Sequence, residues 1–271
     1  MKFKTINSMA MIYIPPSPIK PLEILHHPSG KFPFSTEKRT VIMNIQILEL
    51  IEGARKAKGL TVIIDVFRAF TVECYLFDKG AARIYPIGKL EDALELKKQN
   101  PSYVLFGERE GRKQEGCDYG NSPYQLLSGD FEGKTIIHTT SAGTQGIVNA
   151  VNASEIITGS LVNAKAVAEY IKAKNPEDVS ICPMGLAGKV SSEEDLLAAE
   201  YIRALILGED FDIEGRIAHL KDHGASKFFD PDTQDVFPKE DYPLCVDINK
   251  FPFILKVSKT NDRLTVNKIS L

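Results

Sequence analysis

The sequence predicts an α/β fold, a three-layer α/β/α arrangement around a largely parallel or mixed sheet, and three observations carry that expectation. Short β-branched runs recur along the chain, apolar segments of helical period separate them, and the composition is that of an ordinary globular domain. Strands alternating with helices need crossover connections, and crossovers build parallel sheets covered on both faces. The 271 residues are 43% hydrophobic and 25% charged. A chain of this size buries about three quarters of its unfolded surface, so it needs no disulfide or metal staple.

Residues 1–42 stand apart, with six of the 15 prolines (Pro15, Pro16, Pro18, Pro21, Pro28 and Pro33) and no regular period. They read as an irregular or disordered extension preceding an α/β domain over 43–271. Met43 opens a helical pattern through Ile45, Leu48, Leu50, Ile51 and Ala54 and is a candidate start of the chain, which the intact mass of the native protein would test. A buried strand follows over 61–66, then a helix through Leu76 and Phe77. Strand 82–86 leads to a helix over 90–99, stopped by Pro101. Residues 103–106 form a strand, and a polar, glycine-bearing loop runs on to Ser122, with a short helix over 123–127. Strand 134–138, helix 144–152, strand 155–158, helix 164–174, strand 179–183 and helix 193–207 complete the alternation. Beyond Asp210 the pattern loosens, and 244–247, 253–257 and 264–269 read as edge strands.

Composition excludes several functions. The net charge is −3 and no basic run occurs, which argues against a nucleic-acid partner. Cys74, Cys117, Cys182 and Cys245 show no Cys-x-x-Cys pair and read as reduced thiols rather than zinc ligands or disulfides. The apolar runs are too short to span a bilayer, and the stretch 9–14 is too short for a signal peptide, so a cytoplasmic protein is expected.

Ligands of open α/β sheets bind beyond the carboxyl ends of the strands, so the loops leaving strands are where chemistry is sought. Asp65 ends the 61–66 strand and suits metal binding or attack on phosphorus, with Arg68 as an anion clamp; the alternative is a helix cap or an ion pair. Phe67 occupies the position where haloacid-dehalogenase-type phosphatases carry a second Asp, which removes that mechanism. Gly107, Glu108 and Arg109 follow the 103–106 strand, the alternative being a solvated turn. Asp118, Gly120 and Ser122 precede Pro123 at a helix start, an arrangement that caps a helix and also suits anions. Cys117 lacks the Arg of a Cys-x5-Arg phosphatase, because Pro123 stands there. Thr140, Ser141, Gly143 and Thr144 form a small hydroxyl-rich turn suited to cradling phosphate or merely to capping. Val190 replaces the magnesium-binding hydroxyl of a nucleotide P-loop, while Ser191 and Glu194 have capping-box spacing and leave Asp195 unexplained. Asp65, Glu108, Asp118, Glu194 and Asp195 would together repel one another unless a hard cation such as Mg²⁺ relieved them. The histidines lack metal-ligand spacing; His138, at a strand end, reads as a packed core residue.

The ordered motifs Ile64-Asp65-Val66-Phe67-Arg68-Ala69, Gly107-Glu108-Arg109, Asp118-Tyr119-Gly120-Asn121-Ser122-Pro123, Thr139-Thr140…Gly143-Thr144, Gly159-Ser160-Leu161-Val162-Asn163-Ala164 and Glu194-Asp195 resemble the 2-phosphosulfolactate phosphatases over about residues 60–255. The resemblance implies Mg²⁺-dependent hydrolysis of 2-phospho-3-sulfolactate to sulfolactate and phosphate, a step of coenzyme M synthesis. It places Asp65, Arg68, Glu108, Arg109 and Asp118 in catalysis, and Asn121, Ser122, Thr140, Ser141, Gly143, Thr144 and Asn163 at the substrate. The expected partner is a small anionic phosphoester, with no nucleic acid and no membrane; a homo-oligomer is compatible with it. Two departures fall at the pocket: the Thr139–Thr144 turn is one residue longer than the family's usual Thr-Thr-Asn-Gly-Thr, and Phe67 and Phe70 replace Leu and Thr.

Overall fold

The computed structural model describes residues 7–10, 43–260 and 263–271. Their elements run β1 (Asn7–Ala10), β2 (Met43–Ile47), α1 (Leu50–Lys56), β3 (Gly59–Ile64), α2 (Ala69–Asp78), β4 (Arg83–Pro86), α3 (Leu90–Gln99), β5 (Val104–Arg109), β6 (Arg112–Lys113) and α4 (Pro123–Leu126). The second half adds β7 (Thr135–Thr139), α5 (Gly143–Asn149), β8 (Ala153–Gly159), α6 (Ala164–Lys174), β9 (Asp178–Pro183), α7 (Glu193–Leu207), α8 (Ile213–Asp222), α9 (Asp241–Cys245), β10 (Phe253–Thr260) and β11 (Arg263–Ser270). The fold is α/β, as the alternation predicts.

Burial explains the elements. In β3 every residue from Leu60 to Ile64 is buried, because helices cover both faces, and a doubly covered strand reads as one unbroken apolar run. Ile63 packs with α2 and α5 residues such as Phe70 and Ile147. Val62 and Ile64 point the other way, into a core with Val167 of α6 and Ile202 of α7.

The strand order is β1-β2-β9-β3-β8-β10-β11-β4-β7-β5-β6. Two parallel blocks, β2-β9-β3-β8 and β4-β7-β5, are joined by the antiparallel β10–β11 hairpin. That corrects the reading of 253–257 and 264–269 as edge strands: they lie mid-sheet, and the adjacent Ile254 and Leu255 are both fully buried because both faces are covered. The join is slender on one side, where Val266 pairs with Ile84 alone. Residues 43–47 are a strand instead of the start of a helix, since Met43 and Ile45 bury at period two and the strand pairs in parallel with β9. Residues 244–247 do not form a strand; Asp241, Tyr242 and Cys245 bury at helical spacing in α9. Within the stretch expected to be irregular, 7–10 extend along β2, and the rest of that expectation lies outside the described residues.

Five strands stand between β3 and β5 in the order, which would set their ends about 29 Å apart in a flat sheet. Yet Arg68, just past β3, donates to the Gly111 carbonyl in the β5–β6 turn at 3.0 Å. The sheet curls, and the loops leaving its two parallel blocks converge.

Candidate active site

Asp65 follows the last buried residue of β3 and is itself buried. Its Oδ1 accepts the Ala69 amide at 3.0 Å, capping the first turn of α2. Its Oδ2 faces Gly143: a Cβ there would lie 2.9 Å from that oxygen, 3.0 Å from Ala69 Cβ and 3.1 Å from Phe70 Cζ. Glycine at 143 is therefore what lets the β7–α5 turn approach the carboxylate. Burial pushes the Asp65 carboxyl up to about 7; the Ala69 amide and His138 oppose the rise, and Glu108 and Glu194 add to it.

Glu108 and Arg109 are the last two residues of β5, inside the strand instead of in a loop. Glu108 Oε1 accepts the Ser141 amide at 2.7 Å, and Oε2 accepts the Gly111 amide at 2.7 Å and the Ser141 hydroxyl at 3.2 Å. This buried carboxylate thus ties the β7–α5 turn to the β5–β6 turn. Thr140 and Thr144 brace the same turn reciprocally, each backbone amide donating to the other's hydroxyl at 2.9 and 3.1 Å. Arg109 lies over the turn, donating to Thr139 Oγ1 at 2.9 Å and to its own neighbour's carbonyl, that of Glu108, at 2.6 Å.

Glu194 and Asp195 open α7, and both are buried. Asp195 spends its oxygens on backbone: Oδ1 accepts the Val66 amide at 2.7 Å and Oδ2 the Gly185 amide at 2.8 Å. It clamps the loop after β3 to the loop after β9. Burial, with Asp65 and Glu194 nearby, holds its carboxyl well above the ordinary carboxylate range. Glu194 is raised too, chiefly by burial, with Lys227 opposing. The Lys227 ammonium stands 3.9 Å from Glu194 Oε1.

Asp65, Glu108, Glu194 and Asp195 are brought together; Arg68 reaches the same turns through Gly111 but is spent on protein groups, and Asp118 is held elsewhere. Asp118 accepts from Lys97 and from the Leu105 amide, each at 2.8 Å, near the amino-terminal end of β5, and its side chain is 38% exposed. Arg68 is spent internally: it donates to Asp241 Oδ2 at 2.7 Å and to the Val236 carbonyl at 2.8 Å, with Phe237 beneath its guanidinium. Ser122 caps α4 through the Gln125 amide and donates to Asp241 Oδ1 at 2.7 Å. Asn163 caps the turn after β8, its Oδ1 accepting the Ser160 amide at 2.9 Å. Asn121 Oδ1 meets His138 Nε2 at 3.2 Å, and His138 Nδ1 meets Glu73 Oε1 at 2.9 Å, in a fully enclosed trio behind Asp65.

Sequence reasoning missed Glu73, Lys227 and Asp241. Glu73 left a signal, as the one charge within the apolar run Ala69–Phe77 of α2. Lys227 is followed by Phe228 and Phe229, a weak cue, and Asp241 gave none.

Among the described residues no three His, Cys, Asp or Glu side chains form a ready-made metal cage. The donor chemistry nonetheless fits a hard cation. Among the described residues Asp65 Oδ2 accepts no hydrogen bond, Glu194 has Lys227 as its ionic neighbour at 3.9 Å, and each carboxyl is raised by burial. Magnesium is commonly held by one or two carboxylates with substrate oxygens completing its shell.

Fold and site together define an α/β protein with a buried acidic cluster at the carboxyl ends of parallel strands. Comparison with known proteins supplies the family. A family model described as 2-phosphosulpholactate phosphatase matches residues 45–227. A Bacillus subtilis protein named "Probable 2-phosphosulfolactate phosphatase" is 32% identical over 213 residues, covering 78% of this chain and 92% of its own. Proteins of the same name from Carboxydothermus hydrogenoformans (39% identical, 60% of this chain and 68% of the relative) and Clostridium tetani (40%, 59% and 70%) are similar as well. The chain belongs to the 2-phosphosulfolactate phosphatase family. No helix among the described residues is long and apolar enough to cross a membrane.

Proposed function

We propose that this chain hydrolyses the phosphate monoester of 2-phospho-3-sulfolactate, releasing 3-sulfolactate and phosphate. Family membership supports the reaction class, and one observation carries the site: Asp65, buried and with no hydrogen bond to Oδ2 among the described residues, faces a turn that approaches only because residue 143 is glycine. Asp65 and Glu194 would hold Mg²⁺, which when bound supplies polarisation of phosphoryl oxygens and the positive charge the carboxylates lack.

The remaining work falls to the chain's own groups. Asp65, whose carboxyl burial raises to about 7, would be held in its charged form by the cation it binds. Arg109, steered by Thr139, places positive charge beside the turn where the phosphoryl group would sit. Glu108 and Asp195 hold that geometry by fixing the turns, and act as positioning residues. The aromatic wall of Phe67, Phe228 and Phe237 keeps bulk water from one side of the cleft. Phosphate release from 2-phosphosulfolactate by the wild type and by Asp65→Asn tests the assignment. A fall of at least about 1,000-fold in kcat is expected, and turnover unchanged in the variant would remove Asp65 from the chemistry. Coenzyme M synthesis and a cytoplasmic location are part of the same proposal, resting on the family's chemistry.

A further inference from the structure

Lys227 lies on the 3-10 turn Ser226–Phe228 between α8 and α9. Its ammonium stands 5.4 Å from the Phe67 ring centroid, 5.5 Å from that of Phe237 and 5.6 Å from that of Phe228. Three rings thus surround one cation, a desolvated setting in which aromatic faces hold it in place. The side chain keeps 30% of its surface open. An ammonium carries three N–H donors, and among the described residues Nζ makes no hydrogen bond. Among the described residues its sole ion-pair partner is Glu194 at 3.9 Å, beyond hydrogen-bond range. The other cations of the cleft differ: Arg68 is consumed by Asp241, Val236 and Gly111, and Arg109 by Glu108, Thr139 and Gly88. Lys227 is the cleft cation with unspent donors.

Position gives it a task. Phe67 is two residues past Asp65, so the ring box forms the wall of the cleft on the Glu194 side, whereas Arg109 occupies the Glu108 side. A substrate whose phosphoryl group lies between Asp65 and Arg109 would extend its other end toward Lys227. That end must be anionic to use the donors, and of low charge density to lie among aromatic rings. A sulfonate satisfies both conditions, spreading one charge over three oxygens. We propose that Lys227 is the specificity-determining residue that binds the substrate's sulfonate. The inference rests on the hydrolase reading given above.

The test compares 2-phosphosulfolactate with 2-phospholactate, which differs only in lacking the sulfonate. The variants are Lys227→Met and Lys227→Arg. The ratio of kcat/KM between the two substrates should fall about 10- to 100-fold in Lys227→Met, the size of one charge-assisted contact, mainly through KM. Lys227→Arg should restore part of it. A ratio within about twofold of wild type, with both substrates hit alike or neither affected, would overturn the assignment. Circular dichroism and thermal unfolding of the variants report whether the fold is intact, and Lys227→Arg serves should the Met variant unfold. Absence of phosphate release by wild-type protein from either substrate would instead remove the hydrolase reading itself.

Discussion

Replacing Asp241 separates a structural Arg68 from a substrate-facing one. The Arg68–Asp241 pair is 2.7 Å long, with side chains 2% and 0% exposed. Asp241→Ala removes more than the pair, because Asp241 Oδ1 also accepts the Ser122 hydroxyl at 2.7 Å and the Tyr124 amide at 2.9 Å. Removing one partner of a buried ion pair typically costs about 3–5 kcal/mol, since the other charge is left unpaired. Arg68 keeps the Val236 and Gly111 carbonyls, which soften its loss, whereas the orphaned Ser122 and Tyr124 donors add to it. The expected cost is about 4 kcal/mol, a large part of a total stability of about 5–15 kcal/mol. Thermal unfolding should drop by about 8–16 °C for a chain of this size. Urea titration reads the free energy directly. Arg68→Met combined with Asp241→Ala should be more stable than Asp241→Ala alone, because no buried charge then remains unmatched. A loss below about 1 kcal/mol in Asp241→Ala, with the double variant no better, would refute this and return Arg68 to the substrate.

Two further outcomes follow from Asp65 and its neighbour. The folded state holds the Asp65 proton up to about 7, against an ordinary 3.8, so it binds protons more tightly than the unfolded chain. The contribution of Asp65 to stability, measured in EDTA, therefore falls as pH rises from about 4 to about 7 and is level beyond. Asp65→Asn should gain on wild type between pH 5 and pH 8 in urea midpoints; a parallel pH dependence of the two proteins would contradict it. Gly143→Ala drives a methyl group toward Asp65 Oδ2 and Ala69 Cβ, contacts of 2.9 and 3.0 Å. It should lower kcat about 100-fold with a stability loss of about 1–3 kcal/mol, and wild-type kinetics in that variant would show that the turn has room to spare.

Much of the fold is legible because local signals agree with the tertiary setting. Helices α3, α6 and α7 run over the residues their periodicity outlines, with Pro101 beyond one and an αL Gly208 ending another. The β10–β11 hairpin reads as peripheral because its place comes from pairing with β8 and β4, which no local pattern records. In the site, Asp65, Glu108, Glu194 and Asp195 are legible because they end, or nearly end, apolar strands or open a helix. Asp118 sits in an equally suggestive motif, yet the parallel bridge Phe106–Tyr119 draws it back along β5, away from the strand's end. Arg68 has a partner 173 residues away, and such a pairing leaves no trace in sequence spacing. The charge of Arg68 invites a functional reading, and burial alone reveals its structural work.

The proposed function is a metal-assisted phosphatase in which Asp65 and Glu194 would hold the ion. Phosphate release from 2-phosphosulfolactate by wild-type protein, in Mg²⁺ and then in EDTA, tests it most directly. Release in Mg²⁺ that EDTA abolishes and added Mg²⁺ restores is the expected result. Release that proceeds equally in EDTA would contradict the assignment of those two carboxylates to a metal ion, and no release under either condition would contradict the phosphatase itself.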